Sequence, residues 1–197
     1  MFMENIFAIV KNGSIVKYPA DPRYESPNVG FPLDWPGGKI EGKEYVRVLT
    51  TPSSIEPIKF GWRAKEKKPL YNKENKVWYQ DWEEEFIGFP ELKILISSIR
   101  YEKEISGLKI NGNVFNTDRD SQTKYSLMAL NNTKMNWKID GLTFIEIDIK
   151  EINKKVADYV RACFETERKY FEIIDKNDIE LIKNTNFESG WPDNGQG

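Results

Sequence analysis

The segment Ile149–Lys176 constrains the fold more than any other part of the chain. Apolar residues recur there every three or four positions among charged residues, and no Pro or Gly interrupts the run. This spacing predicts a helix with one apolar stripe, which at ~1.5 Å per residue is about 40 Å long. Asp148 and Glu151 form an acidic cap at its start. The stripe consists of Ile149, Ile152, Val156, Tyr159, Val160, Cys163, Phe164, Tyr170, Phe171 and Ile174.

Two interpretations of the stripe are open at this point. It is either the core-facing side of a helix in an α+β domain, or a surface through which copies of the chain pack together. The candidate interface residues on this helix are Ile152, Val156, Tyr159, Cys163 and Tyr170.

Composition narrows the classes of function. The 197 residues suffice for one domain or two small ones, and 39% of them are hydrophobic, which is enough for a core. The formal net charge of −2 favours neither nucleic acid nor a solvating acidic tail. We expect no secretory signal and no membrane-spanning run, and therefore synthesis in a reducing cytoplasm. The single cysteine, Cys163, is predicted to be a small buried hydrophobe.

The residues that usually carry catalysis are scarce. Histidine is absent from the sequence, which removes the commonest general base and metal ligand. We find no metal-ligand spacing, phosphate-binding loop or nucleophile motif. Carboxylates such as Asp118 and Asp120 are neighbours along the chain, and such neighbours seldom converge on one bond. We therefore predict no enzymatic activity, no catalytic residue, no metal site and no cofactor.

Residues 1–87 are predicted to form a small, aromatic-rich β domain. Asn12-Gly13 joins two apolar runs, which indicates a hairpin because both residues tolerate positive φ. Five aromatic residues cluster in the second half: Trp62, Tyr71, Trp78, Tyr79 and Trp82. Three roles are open for their rings: they form the core of the domain, they form a platform that stacks on a saccharide, or they contact another protein. Trp62, Trp78 and Trp82 are therefore candidate interface residues.

Residues 88–187 are predicted to form a helix–hairpin–helix–hairpin–long-helix domain, so the fold class is α+β. Gly107 ends the first helix. Asn111-Gly112 and Asp140-Gly141 each predict a hairpin turn. Residues 188–197 are polar and contain Gly and Pro, and they are predicted to be a flexible tail.

Three stretches of the second part follow one another in a recognisable order: IRYEKEISGLKINGNVFNTDRDSQTKYSLMALNN, MNWKIDGLTFIEID and VADYVRACFETERKYFEIID. Their motif residues are Arg100, Glu104, Gly107, Thr117, Asp118, Ser121, Gln122, Trp137, Lys138, Asp140, Gly141, Val160, Cys163, Phe164 and Glu167. Together they resemble a domain of unknown function that occurs near the C-terminal end of many tailed-bacteriophage tail-fibre, tail and tail-assembly proteins.

The resemblance implies a structural component of a bacteriophage tail, such as a tail fibre, a fibre adaptor or a peripheral baseplate protein. It would be made in the host cytoplasm and located in the virion. Its partners would be other phage tail proteins and copies of itself, as a trimer or linked to a hexamer, without nucleic acid or membrane insertion. The alternatives are a tail-fibre assembly chaperone that leaves the virion and a module that binds a host receptor or surface glycan. The resemblance brings no catalytic residue, and Ser121, Gln122 and Trp137 are expected to be structural.

Overall fold

The computed structural model describes residues 6–32, 34–51, 55, 58–139 and 142–196. Contacts between Cα atoms divide the chain into two compact units, Met1–Phe86 and Ile87–Gly197. Strands predominate in the first unit, and the second contains the long helices, which confirms the α+β class. Among the described residues, none of the helices combines the length and the apolar character needed to cross a bilayer.

The first unit is built around a curled six-stranded sheet. Its elements are β1 (Ile6–Lys11), β2 (Ser14–Ala20), α1 (Pro22–Glu25), β3 (Gly37–Ile40), β4 (Lys43–Leu49), β5 (Trp62–Glu66), β6 (Leu70–Asn72), β7 (Val77–Tyr79) and β8 (Trp82–Phe86). The strand order is β2-β1-β4-β7-β6, with β3 also paired to β4, while β5 and β8 form a separate antiparallel pair. Asn12 and Gly13 adopt positive φ between β1 and β2, which pair antiparallel.

A small aromatic core covers one face of this sheet. Phe7, Ile9, Ala20 and Tyr45 are buried together, and Trp35 packs against them. The Trp35 ring lies 5.2 Å from the ring of Phe7 and 5.7 Å from that of Tyr45. Such tilted aromatic pairs add to the stabilisation that comes from apolar burial alone.

The second unit is organised around its longest helix. Its elements are α2 (Phe89–Ile105), β9 (Leu108–Ile110), β10 (Asn113–Phe115), α3 (Arg119–Asn131), β11 (Lys134–Lys138), β12 (Phe144–Asp148), α4 (Ile149–Ile174) and α5 (Ile179–Asn184). β9 pairs antiparallel with β10, and β11 pairs antiparallel with β12. The predicted turn at Asp140-Gly141 lies outside the described residues. Helix α4 contacts α2, α3 and α5, so it is the central helix of the unit.

The apolar stripe of α4 faces the core of its own unit. The Asp148 carboxylate accepts hydrogen bonds from the backbone amides of Lys150 and Glu151 and thereby caps the helix. The buried residues packed together along α4 and its neighbours are Ile110, Phe115, Tyr125, Ile147, Ile149, Ile152 and Val156. Of the two interpretations left open by the periodicity, the structure therefore supports the core-facing helix.

The segment predicted to be a flexible tail makes specific contacts in the structure. The backbone carbonyl of Asn194 accepts a hydrogen bond from the backbone amide of Lys109 at 2.8 Å. The Gln196 side chain donates to the backbone carbonyl of Ser106 at 3.0 Å. The Trp191 ring packs 5.6 Å from that of Tyr170. This aromatic contact and the two hydrogen bonds hold the segment against the rest of the second unit.

Candidate functional site

The polar motif residues converge where α2, α3 and α4 meet. Arg100 and Glu104 lie on α2, Gln122 on α3 and Glu167 on α4, and we call these four residues the Arg100 cluster. The carboxylate of Glu104, which is 2% exposed, accepts hydrogen bonds from Arg100 Nη1 and from Gln122 Nε2, the latter at 3.4 Å. Arg100 Nε lies 3.5 Å from Glu167 Oε2, and its guanidinium lies 4.4 Å above the ring of Phe164.

The Arg100 cluster ties the three helices together. A buried charge is costly unless a partner offsets the loss of its hydration. Here the guanidinium of Arg100 forms ion pairs with two carboxylates from different helices, those of Glu104 and Glu167. The arrangement therefore fixes how α2 packs on α4.

A second group of motif residues builds the turn from α2 to β9 and connects it to the start of α3. Gly107 has φ of +82°, and a Cβ at this position would lie 3.1 Å from Val114 Cγ1, so the turn requires glycine. The amide of Gly107 donates to Thr117 Oγ1 at 2.9 Å, while Gln122 Nε2 donates to the Thr117 carbonyl at 2.7 Å. These hydrogen bonds connect the turn to the Arg100 cluster.

Asp118 caps the start of α3. Its carboxylate accepts hydrogen bonds from the amide of Ser121 at 2.9 Å and from the Ser121 hydroxyl at 2.7 Å. These bonds stabilise the ionised form and hold the pKa of Asp118 below its ordinary value of 3.8. Ser121 thus helps to fix the start of α3, and Gln122 bonds to the backbone carbonyl of Thr117 just before it.

Trp137 belongs to the core beside α3. Its ring lies 5.1 Å from that of Tyr125, which is 1% exposed. Burial raises the pKa of the Tyr125 hydroxyl to about 12. Burial likewise raises the pKa of the Cys163 thiol, which disfavours the reactive thiolate. Within the described ranges, no group of three or more His, Cys, Asp or Glu residues is placed to hold a metal ion.

The five predicted interface residues of α4 make their contacts within the chain. Ile152, Val156, Tyr159 and Cys163 are buried. The Tyr159 hydroxyl donates to the carbonyl of Lys103 at 2.7 Å. The half-buried Tyr170 packs 5.1 Å from the ring of Phe187. α2, α3 and the C-terminal segment thus cover these five side chains within the chain.

The three predicted tryptophans of the first unit lie in two different sheets. Trp62 on β5 packs 5.2 Å from Phe86 on β8, the strand that also carries Trp82. Trp78 lies on β7 of the six-stranded sheet, and its ring is 5.2 Å from that of Tyr71 on β6. Each tryptophan is half-buried. Of these aromatic side chains, Tyr71 and Trp78 line a groove.

That groove follows from the way β4 is paired. β1 covers one edge of β4, while β3 pairs with residues 43–46 and β7 with residues 48–49 of the other edge. The two strands diverge at Arg47 and leave a cavity of about 660 Å³, which we call the split-edge groove. Its lining comprises Val10, Gly13, Pro36, Gly37, Gly38, Lys39, Glu44, Tyr45, Val46, Arg47, Leu49, Tyr71, Lys76, Val77 and Trp78. No sequence motif marks this site because its residues come from separate strands.

Comparison with known proteins adds one family. Residues 90–187 match the family described as Domain of unknown function (DUF4376). The matched interval lies within the second unit and contains the Arg100 cluster, the Asp118 cap and all of α4. Searches of curated proteins and of solved structures gave no match. The match thus supports the resemblance to a domain of unknown function. That the domain belongs to a phage tail protein is a proposal.

Proposed function

We propose that the chain is a structural component of a bacteriophage tail: a tail fibre, a fibre adaptor or a peripheral baseplate protein. It would hold tail parts together by hydrophobic packing and self-association, and it would not catalyse a reaction. Its partners would be other tail proteins and further copies of the chain, and its location the virion. The proposal starts from the order of motifs in the second unit. It is supported by the roles of Arg100, Gly107 and Asp118, which all position backbone or helices.

The observation that carries the proposal is the second apolar face of α2. Its inner face buries Leu92 and Ile96 completely. On its outer face Ile94, Tyr101 and Ile105 are 66%, 48% and 40% exposed. A helix that is apolar on opposite faces needs a neighbour on each side, and exposed apolar patches mark contact sites.

The spacing of this outer face suits a helical neighbour. Together with Ser98, the residues Ile94, Tyr101 and Ile105 follow intervals of four, three and four positions. This alternation keeps a seam on one side of a helix, as in helices that pack against each other along a shared axis. A further copy of the chain presents the same seam, which makes α2 the contact that we propose for self-association.

Quantitative mass spectrometry of purified particles tests the proposal. We expect the chain in the particle at a fixed ratio to the major tail protein and at a multiple of three copies per tail. The assembly-chaperone alternative predicts the chain in infected cells but not in particles. Absence from particles would therefore contradict the structural role, whatever the level in infected cells.

A second candidate function, binding of a host surface glycan, is favoured by the first unit. The Tyr71 ring is 46% exposed and packs beside Trp78 at the split-edge groove. Exposed aromatic rings next to polar groups suit the apolar face and the hydroxyls of a sugar. A tail component that contacts the host surface would combine both roles. Loss of host-polysaccharide binding in a Trp78→Ala variant of the intact chain is the expected result.

A further inference from the structure

We propose that the split-edge groove binds an acidic saccharide, that is, a sugar chain bearing carboxylate or phosphate groups. This inference rests on the glycan-binding candidate function and adds the class of saccharide. It follows from three features of the groove: an aromatic wall, an excess of unpaired cations, and a position fixed by the sheet.

The aromatic wall is formed by two cross-strand neighbours. Tyr71 on β6 lies directly opposite Trp78 on β7 in the antiparallel register. Their rings are 5.2 Å apart and tilted by 48°, so they form one continuous aromatic surface. Leu49, which is 44% exposed, also lines the groove and extends its apolar area. The C–H face of a pyranose ring packs on a surface of this kind.

The charge of the groove is positive. Lys39, Arg47 and Lys76 line it, against the single carboxylate of Glu44. In the portion of the chain that the structure describes, none of these three cations forms an ion pair. Other cations of the unit are neutralised by a carboxylate, as where Lys65 and Arg63 both contact Glu85. Unpaired cations in a concavity attract anions, and a guanidinium can bind a carboxylate or phosphate through two hydrogen bonds.

The position of Arg47 is built into the sheet. β3 reaches Gly37 opposite Val46, and β7 begins to pair at Val48, so Arg47 faces the gap between them. At Gly37, where φ is +103°, a Cβ would lie only 2.6 Å from the carbonyl oxygen of Tyr45. Glycine therefore permits β3 to approach β4 closely beside the gap. Paired strands on both sides hold the groove open.

The observations favour a saccharide over single-stranded nucleic acid, which also combines stacking with phosphate charge. Glu44 lies in the same groove and would repel a polymer that carries a phosphate at every residue. The same carboxylate is a good acceptor for sugar hydroxyls. The whole chain has a formal net charge of −2, so no broad positive field supports binding along a polyanion.

Isothermal titration calorimetry on the intact chain tests the inference. The probes are a hyaluronan oligosaccharide, in which a charged glucuronate alternates with a neutral sugar, a mannose-6-phosphate oligosaccharide, neutral maltohexaose and an oligo-deoxythymidine. We expect an acidic saccharide to bind, with an affinity that falls as salt is added. Trp78→Ala and Arg47→Gln should each weaken it at least about tenfold. The matched controls Tyr24→Ala, at a ring that is 85% exposed, and Lys59→Gln should leave it within about twofold.

The alternative outcomes distinguish the proposal that the groove binds a saccharide from the proposal that this saccharide is acidic. If maltohexaose binds as tightly as the acidic probes and Trp78→Ala abolishes its binding, the saccharide role stands and the acidic class is overturned. If no saccharide binds, both are overturned. Tighter binding of the oligo-deoxythymidine would assign the groove to nucleic acid and contradict the inference.

Discussion

At Arg100 the second unit buries a positive charge beside two carboxylates. The Arg100 and Glu104 side chains are only 12% and 3% exposed. We predict that Arg100→Ala lowers the free energy of unfolding by about 3 kcal/mol, because Glu104 is left as a buried carboxylate without its cation. Urea denaturation followed by circular dichroism measures this change.

The matched control for this prediction is Arg161→Ala on α4. Arg161 is 67% exposed and pairs with Asp158 at the surface. Such a pair contributes less than about 1 kcal/mol. Equal losses in the two variants would contradict the structural role of the Arg100 cluster.

Asp118 links the stability of α3 to pH. Its folded-state pKa lies below the ordinary value of 3.8, so the capping contribution is present above that value and is lost as the pH falls through the folded-state pKa. We predict that Asp118→Ala costs about 1 kcal/mol at neutral pH and progressively less in acid. Urea titrations of the variant and the intact chain at neutral and acidic pH give the difference. A loss that stays constant with pH, or a similar loss in the control Asp120→Ala, would be evidence against the cap.

The sequence identifies these motif residues but not their contacts. Arg100 and Glu104 are four positions apart on a predicted helix, which places them on the same side. Their partners Gln122 and Glu167 come from other helices, and only the packing of α2 and α3 on α4 brings them together. In the first unit, likewise, Arg47 becomes a groove residue because two strands share one edge of β4.

At the scale of elements, α4 follows closely from its periodicity. The helix predicted over Ile149–Lys176 is observed as Ile149–Ile174, capped by Asp148 as expected. Periodicity predicts an apolar stripe but does not identify what covers it. The structure shows that neighbouring helices of the same chain do so. Apolar residues on both faces of α2 pose the same problem, and there the outer face remains exposed.

The burial of the stripe predicts how α4 variants unfold. Val156 is 2% exposed in the core of the unit. We expect Val156→Ala to cost about 2 kcal/mol, because it leaves a cavity in a packed core. The loss should not depend on protein concentration, since the contact is intramolecular. Thermal unfolding at two concentrations measures both properties.

The control for Val156→Ala is Leu127→Ala on α3, where the side chain is 60% exposed. Its truncation should change stability by less than about 0.5 kcal/mol. A Val156→Ala effect that grew on dilution would place the residue between subunits and contradict the core-facing stripe.

At the scale of the whole molecule, the chain combines two units with different surfaces. The first carries a positively charged groove beside an exposed aromatic pair. The second carries a core fixed by buried charges, and apolar side chains that remain exposed on α2. We interpret the first as a surface for a saccharide and the second as a surface for further copies, which together suit a structural part of a tail.

Sedimentation velocity tests the central claim, contact through the outer face of α2, most directly. We predict that the intact chain sediments as a trimer or a larger multiple of three at about 50 µM. The variant Ile94→Asp/Tyr101→Asp should sediment as a folded monomer, because a charge buried in an apolar contact is strongly unfavourable. Leu130→Asp, at a side chain that is 75% exposed on α3, is the control and should assemble like the intact chain. An intact chain that stays monomeric, or a double variant that still assembles, would contradict the account.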